Sequence, residues 1–307
     1  MKRFLRRTAE RVLDWRSHHF VPKLMRAEEG VGPDFLCIGQ QKAGTQWLYD
    51  QLRYHADFWM SPIKELRYFS LPPGQRTQLR QIRGHWDKLR NWNSRDLAYL
   101  NAAYWLSRRE VDLEEYARMF NPKGAKITGD ISPDYCALDA QCIRALAGRF
   151  PSIRTVLFVR DPVERFWSAL SMGIRHGRFA PLRHQDDWER VLAIIEHPEN
   201  QALSFPSRDA ERWTKNLPSG QFAVLFFDDL KSDPVRFRKN AISFLGGDPS
   251  KPSGHLPPSY NRKASFRKEV MSEAIRARLA QYFGDELRAC ATTLGGPAAN
   301  WLAKYGM

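Results

Sequence analysis

Cysteine is scarce in this chain: four residues in 307, at Cys37, Cys136, Cys142 and Cys290, with no CxxC pair and no ladder with histidines. That excludes a disulfide-stapled scaffold and the common structural zinc frameworks, and it favours reduced, structural thiols over disulfides. Long apolar runs are missing too. No stretch approaches the ~18 apolar residues of a membrane span. The N-terminal "MKRFLRRTAERVLDWRSHHFVPKLMR" has neither a long apolar core nor a small-residue cleavage site, so it does not read as a secretory signal. Acidic charge is in short supply, with 34 Asp and Glu against 48 Lys and Arg, a net +14. Such a surplus suits an anionic partner, whether a nucleotide, an acidic polymer or a membrane surface, and charge alone does not separate that from simple solubility. Internal repeats and low-complexity segments are lacking.

The length suits one large α/β domain or two small ones. Residues 1–32 read as a basic, helical appendage closed by "EEGVGP". Leu5, Ala9, Val12 and Leu13 fall at helical spacing, with eight Lys or Arg in the first 26 residues against Glu10 and Asp14. Such a helix either lies on an anionic membrane or packs on the domain; its thin apolar face favours the second. From 33 to 307 the pattern is that of one domain. Short apolar runs recur at "FLCIG" (35–39), "KITGD" (126–130), "RTVLFVR" (154–160) and "QFAVLFF" (221–227). Several are fully apolar, as in strands covered on both faces. Helical patterns at 45–55, 135–149, 162–176, 185–196, 208–216, 234–245 and 270–291 alternate with them. The expectation is an α/β fold: a P-loop-like, three-layer architecture with a central, mainly parallel sheet flanked by helices. Ligands collect at the C-terminal ends of such strands. Residues 71–125 break the pattern. They are polar, basic and rich in Trp and Tyr, and read as a helical insertion or lid.

Two strand-to-helix junctions carry the chemistry. In "IGQQKAGTQW" (38–47), Gly39 and Gly44 stand five apart, as in a phosphate-binding loop. A glycine-rich turn into a helix offers backbone N–H groups and the positive end of a helix dipole to an anion. A nucleotide-hydrolysing loop would place Lys and then Ser or Thr directly after the second glycine, the hydroxyl being the magnesium ligand. Here Thr45 and Gln46 follow it, and the only lysine, Lys42, lies inside the loop. A metal-free phosphate loop is the better reading, with Lys42 over the anion.

The second junction is "TVLFVRDPVERFWSAL" (155–170). Arg160 follows the strand, Asp161 is a good N-cap and Pro162 suits the first helical position. Ser168 lies about two turns beyond the cap, so it and Arg160 can converge on one anion. The competing reading pairs Arg160 with a local carboxylate. Two phosphate sites, one with a loop lysine and one with Arg and Ser, suit a nucleotide with phosphates at both ends.

These residues resemble the sulfotransferase family that uses 3'-phosphoadenylyl sulfate (PAPS). "IGQQKAGTQWL" resembles its 5'-phosphosulfate loop and "VLFVRDPVERFWSAL" its 3'-phosphate motif. "PIKELRYFS" (62–70) is similar to the lysine–glutamate–aromatic segment of carbohydrate and heparan-type members, and "GDISPDY" (129–135) to their "EKTPxYF" segment. "LFFDDLKSDPVRFRKNAISFLG" is similar to the "YEDL…FLG" stretch, and "YNRKASFRK" (260–268) to the loop that closes over the nucleotide. The resemblance spans roughly 34–270. It implies transfer of a sulfuryl group from PAPS to a hydroxyl or amine of a carbohydrate, glycolipid or other small-molecule acceptor, releasing adenosine 3',5'-bisphosphate (PAP) and requiring no metal. It puts Lys42 on the phosphosulfate oxygens, Gln41 to Gln46 (with Ala43, Gly44 and Thr45) around the 5'-phosphate, and Arg160 and Ser168 on the 3'-phosphate. Arg262 and Lys263 become further phosphate contacts, and Glu65 the general base. The bland alternative for Glu65 is a surface carboxylate paired with Lys64 or Arg67.

The chain departs from the family pattern at three places. Gln46 stands where many members have a second Thr, Ile131 where "EKTP" has its lysine, and Arg67 where some heparan-type members have His. A missing acceptor-side charge can be supplied by Lys64. Trp86, Trp92 and Trp105 are candidates for sugar stacking, though packing is the commoner use. His176 and the cluster Arg76, Arg80, Arg83, Lys88, Arg90 and Arg95 can face the cleft or solvent. A cytoplasmic enzyme is the expected setting, with membrane association through the basic N-terminus the less favoured option, and nucleic acid is not an expected partner. The competing functions are a P-loop kinase or NTPase with an altered loop, and a non-catalytic polyanion-binding module.

Overall fold

Four strands form one parallel sheet in the order β2–β1–β3–β4: Phe35–Gly39 (β1), Gly129–Ile131 (β2), Arg154–Val159 (β3) and Phe222–Phe226 (β4). The structure is a computed structural model, and it describes Trp15 and residues 20–76, 93–184, 186–262 and 269–307. β1 pairs Phe35 with Gly129 on one side and with Arg154 on the other. The chain leaves β1 for β2 and then crosses back to β3, so the crevice between β1 and β3 is a switch point where ligands gather.

The helices are Thr45–Arg53 (α1), Ser94–Leu106 (α2), Leu113–Arg118 (α3), Ala140–Arg149 (α4), Pro162–Arg175 (α5), Trp188–Ile195 (α6), Pro198–Gln201 (α7), Pro206–Asn216 (α8), Phe227–Ser232 (α9), Pro234–Leu245 (α10), Glu273–Tyr282 (α11) and Gly284–Leu294 (α12). Successive strand side chains point to opposite faces, and the two faces belong to separate cores. Leu36, Ile38, Leu157 and Val159 join the larger core with residues of α2, α4, α5, α8, α11 and α12. Phe35, Cys37, Val156 and Phe158 join the smaller one with Trp47, Leu48 and Leu52 of α1 and Phe237, Ile242 and Leu245 of α10. The fully apolar runs thus mark strands covered on both sides, and the expected three-layer α/β architecture is present.

Two helical expectations need refinement. The 135–149 pattern divides into a 3-10 turn, Pro133–Ala137, and α4, because Asp139 caps α4 by accepting from Cys142 N at 2.7 Å. The 270–291 pattern is two helices meeting at Phe283. The four cysteines are free, and Cys37, Cys136 and Cys290 are buried.

In the aromatic, basic stretch, α2 is part of the core rather than a cover. Tyr99, Tyr104 and Trp105 are buried, and the Arg109 guanidinium sits 3.4 Å from the Trp105 ring centre. Trp105 is therefore a packing residue; Trp86 and Trp92 lie outside the described residues. Arg76 is buried as well, donating to the carbonyls of Leu71, Leu106 and Arg109 and lying 4.4 Å from the Tyr68 ring centre. Arg95 and His176 are exposed, and Arg80, Arg83, Lys88 and Arg90 are outside the described residues. Of the N-terminal segment, Trp15 and 20–32 are described. Met25 is buried in the larger core, and Gly32 N donates to Ala117 O at 3.2 Å.

Candidate active site

The loop between β1 and α1 is built on backbone that favours glycine. Gly39 has φ 145° and Gly44 φ 114°. A Cβ on Gly39 would sit 2.6 Å from Pro133 O, and one on Gly44 3.2 Å from Leu230 and 3.3 Å from Phe158. The tight path turns the first N–H groups of α1, which have no intrahelical acceptor, toward the space above β1 and β3. Below the loop lies a polar layer that sequence reasoning missed. Gln40 is fully buried, and its amide donates to Asp209 at 3.3 Å, while Arg212 donates to the other Asp209 oxygen at 2.6 Å. Burial pushes the Asp209 carboxyl up to about 7, although Arg212 and the other donors oppose it.

Beside the loop stands the turn from β3 into α5. Asp161 accepts from Val163 N at 3.0 Å, and Pro162 occupies the first turn, as the sequence predicts. Tyr305 also donates to Asp161, at 2.7 Å, so the C-terminal segment braces this turn from behind. Arg160 reaches back over the loop: one guanidinium nitrogen donates to Lys42 O at 3.4 Å and another to Glu164 at 3.1 Å, with the Phe227 ring centre 4.8 Å away. The local carboxylate of the competing reading therefore exists, and Arg160 faces the cleft at the same time. Burial lowers the Arg160 pKa, an effect that Glu164 opposes.

A third wall comes from 62–70. Glu65 N donates to Ile131 O at 3.1 Å, Arg67 N to Ser132 Oγ at 3.0 Å and Tyr68 N to Tyr135 Oη at 2.9 Å, which docks this segment on the end of β2. Ile63, Leu66 and Tyr68 are buried. Lys64, Glu65 and Arg67 line the cleft. Glu65 and Arg67 have φ of 67° and 52°, a left-handed backbone uncommon outside glycine and characteristic of functional sites. The Glu65 carboxylate is gripped from both sides, by Lys64 at 2.7 Å and Arg67 at 3.0 Å. Burial alone would raise its pKa, but Lys64 and Arg67 together hold it down at about 2. Asp130, the middle residue of β2, accepts from Ser132 and Tyr135, both at 2.8 Å, and from Tyr116 at 3.2 Å. Its carboxyl is pushed up to about 6 by burial, against the pull of those hydroxyls. It is a structural hub under this third wall.

The three walls enclose a cleft of about 470 Å³. Gln41, Lys42, Gly44, Thr45, Gln46, Glu65, Arg160 and Ser168 all line it. Ala43 is buried beneath the loop. Lys42 Nζ lies 3.6 Å from Met172 Sδ. The Gln46 amide donates to Asp50 at 3.1 Å, and Arg262 reaches the same carboxylate. Burial raises the Asp50 pKa, and Arg262 opposes the shift. Lys263 lies outside the described residues. Trp47 and Gln51 of α1 donate to the carbonyls of Pro258 and Pro257, at 2.6 and 2.9 Å, and so draw 257–262 over one side of the cleft. Sequence reasoning did not single out Trp47, Phe227 or Tyr260, apolar lining that suits a flat ring. Their signal is weak, since single aromatic residues usually serve packing.

Comparison with known proteins gives the site a context. A model of the sulfotransferase family matches residues 33–249. A sulfotransferase from Alicyclobacillus acidocaldarius superposes with a TM-score of 0.61 at 20% identity, covering 88% of this chain and 98% of the other. The sulfotransferase domain from the Synechococcus PCC 7002 olefin synthase superposes with a TM-score of 0.46 at 15% identity, covering 85% and 97%. The sulfotransferase domain from the curacin biosynthetic pathway gives 0.46 at 12% identity, covering 83% and 98%. No curated protein matches the sequence.

Proposed function

The chain belongs to the sulfotransferase family, and we propose that it transfers a sulfuryl group from PAPS to a hydroxyl, or an amine, of a carbohydrate or glycolipid acceptor. The observation that carries this reading is the convergence of Lys42, Thr45, Arg160, Ser168 and Glu65 on one cleft from three separate segments. The residues present fit the donor. The loop and the N-terminus of α1 offer backbone donors to a 5'-phosphosulfate, Arg160 and Ser168 offer donors to a 3'-phosphate, and Trp47 and Phe227 offer apolar surface to a base.

Bound PAPS supplies an activated sulfuryl group on a phosphate leaving group. Lys42 meets negative charge on the bridging oxygen as the bond to sulfur lengthens, so it stabilises the transition state more than the ground state. Sulfuryl transfer is like phosphoryl transfer in having a loose transition state, in which position and charge do most of the work. Glu65 takes the proton of the acceptor hydroxyl. The same reading has no metal in the transfer, and places a cytoplasmic enzyme with its acceptor in solution or at a membrane surface. Among the described residues no helix is long and apolar enough to cross a membrane.

The test is transfer of label from [³⁵S]PAPS to a panel of glycans, glycolipids and small alcohols. The expected result is a labelled product whose kcat falls by about 10²–10³-fold in Lys42→Ala. Equal labelling by Lys42→Ala, or magnesium-dependent turnover of ATP in its place, would overturn the reading.

A further inference from the structure

Between the phosphate loop and the acceptor wall runs a line of four side chains: Thr45, Lys64, Glu65 and Arg67. Lys64 Nζ is 3.2 Å from Thr45 Oγ1 and 2.7 Å from Glu65 Oε1. One ammonium is thus shared between the group that opens α1 and the candidate base. The other Glu65 oxygen is held by Arg67, whose Nε lies 3.7 Å from Asp134. The backbone of Glu65 and Arg67 is fixed by Ile131 and Ser132, so the segment stays docked when one of the side-chain partners of Glu65 leaves.

A carboxylate gripped by two cations is ionised but weakly basic. Burial would raise its pKa, yet Lys64 and Arg67 keep it at about 2. An anion beside Thr45 changes the competition for Lys64. A 5'-phosphosulfate carries more negative charge than one carboxylate and would lie within hydrogen-bond reach of the same ammonium. We propose that Lys64 is a donor-sensing positioning residue: with the donor site empty it ties up Glu65, and a phosphosulfate at Thr45 draws it away and frees the base. The inference rests on the sulfotransferase reading above. With Lys64 withdrawn, Arg67 is the cation still on Glu65, and Arg67 is divided between Glu65 and Asp134. Lys42 and Arg160 line the same cleft.

The step then balances. The acceptor oxygen forms a bond to sulfur as its proton passes to a Glu65 oxygen. The bond from sulfur to the bridging oxygen breaks, and its electron pair leaves on PAP, facing Lys42. The consequence is order: the proton acceptor gains strength only when the 5'-anion of the nucleotide is present beside Thr45.

The test uses the full chain labelled with ¹³C at glutamate carboxyls, which leaves Asp134 silent. The Glu65 resonance is identified by its loss in Glu65→Gln. It is titrated between about pH 4 and 7 with and without saturating PAP, whose binding is followed by calorimetry in the same buffers. In the wild type, Glu65 should show no titration without PAP, and PAP should raise its midpoint by about two pH units, into the observed range. In Lys64→Met the midpoint should already be raised without PAP, and PAP should move it much less. PAP that binds while the wild-type midpoint stays put, or moves equally in Lys64→Met, overturns the role of Lys64 and leaves the sulfotransferase reading standing. Failure of PAP to bind overturns both.

Discussion

The proposed donor side of the cleft is made from two contiguous strand–turn–helix units that follow local rules over most of their length: Gly39 and Gly44 at positive φ, a capping Asp and a Pro at the first helical position, with Lys42 (φ 75°) a non-glycine departure inside the first loop. On the acceptor side, 62–70 has no regular secondary structure and puts non-glycine residues Glu65 and Arg67 into left-handed backbone. What holds it there is distant in sequence: Ile131 O, Ser132 Oγ, Tyr135 Oη and, behind them, Asp130. A site can therefore have one half specified by its neighbours in the chain and the other by partners some 65 residues away.

Variants should separate the halves. Glu65→Gln should lower kcat by about 10²–10⁴-fold without weakening PAP binding, since it removes the proton acceptor and releases Lys64 to the nucleotide. Steady-state kinetics and calorimetry check this, and weakened PAP binding would merge the two sides. Arg160→Ala should do the reverse. A charge-assisted hydrogen bond contributes about 1.5–3 kcal/mol, so PAP should bind roughly 10–100-fold more weakly, with kcat at saturating donor changed by only a few fold.

Asp130→Asn probes the hub under the acceptor wall and should reduce kcat several-fold without touching PAP affinity. It also has a pH signature. The folded Asp130 pKa, lifted to about 6 by burial, lies above the ordinary value of 3.8. Its contribution to stability is therefore present below 3.8 and lost as pH rises through 6. Glu65 has the opposite sign: its pKa of about 2 lies below 4.5, so its contribution is present above 4.5 and lost as pH falls through 2. Urea denaturation should show wild type losing stability relative to Asp130→Asn between about pH 4 and 6, with a constant difference above pH 7. The smallest effect is expected at Gln46→Thr. The Gln46 amide is engaged by Asp50, so exchanging it for a hydroxyl should change PAP affinity by no more than about threefold.

The same division explains what the sequence made legible. β1, β3, β4, α1 and α5 follow from apolar runs, caps and glycines, and with them the positions of Lys42, Thr45, Arg160 and Ser168. Lys64, Glu65 and Arg67 were visible as residue types, but their convergence on the cleft was not, because periodicity says nothing of a segment fixed by side-chain hydrogen bonds from elsewhere. Arg76 and Trp105 show the limit most plainly. A basic, aromatic stretch looks like an exposed binding face, yet three carbonyls and the Tyr68 ring take Arg76 into the interior, and Trp105 packs in the larger core. Buried layers such as Gln40–Asp209–Arg212 leave no pattern in sequence, since their members lie 169 residues apart.

The central claim is that the two strand–turn–helix units grip the two ends of one bisphosphorylated nucleotide. Calorimetric competition between PAP and ATP–Mg²⁺ tests it most directly. PAP should bind at about 1–100 μM or tighter, displace any bound ATP, and lose affinity in Arg160→Ala. Tighter binding of ATP–Mg²⁺, or PAP binding indifferent to Arg160, would contradict the account.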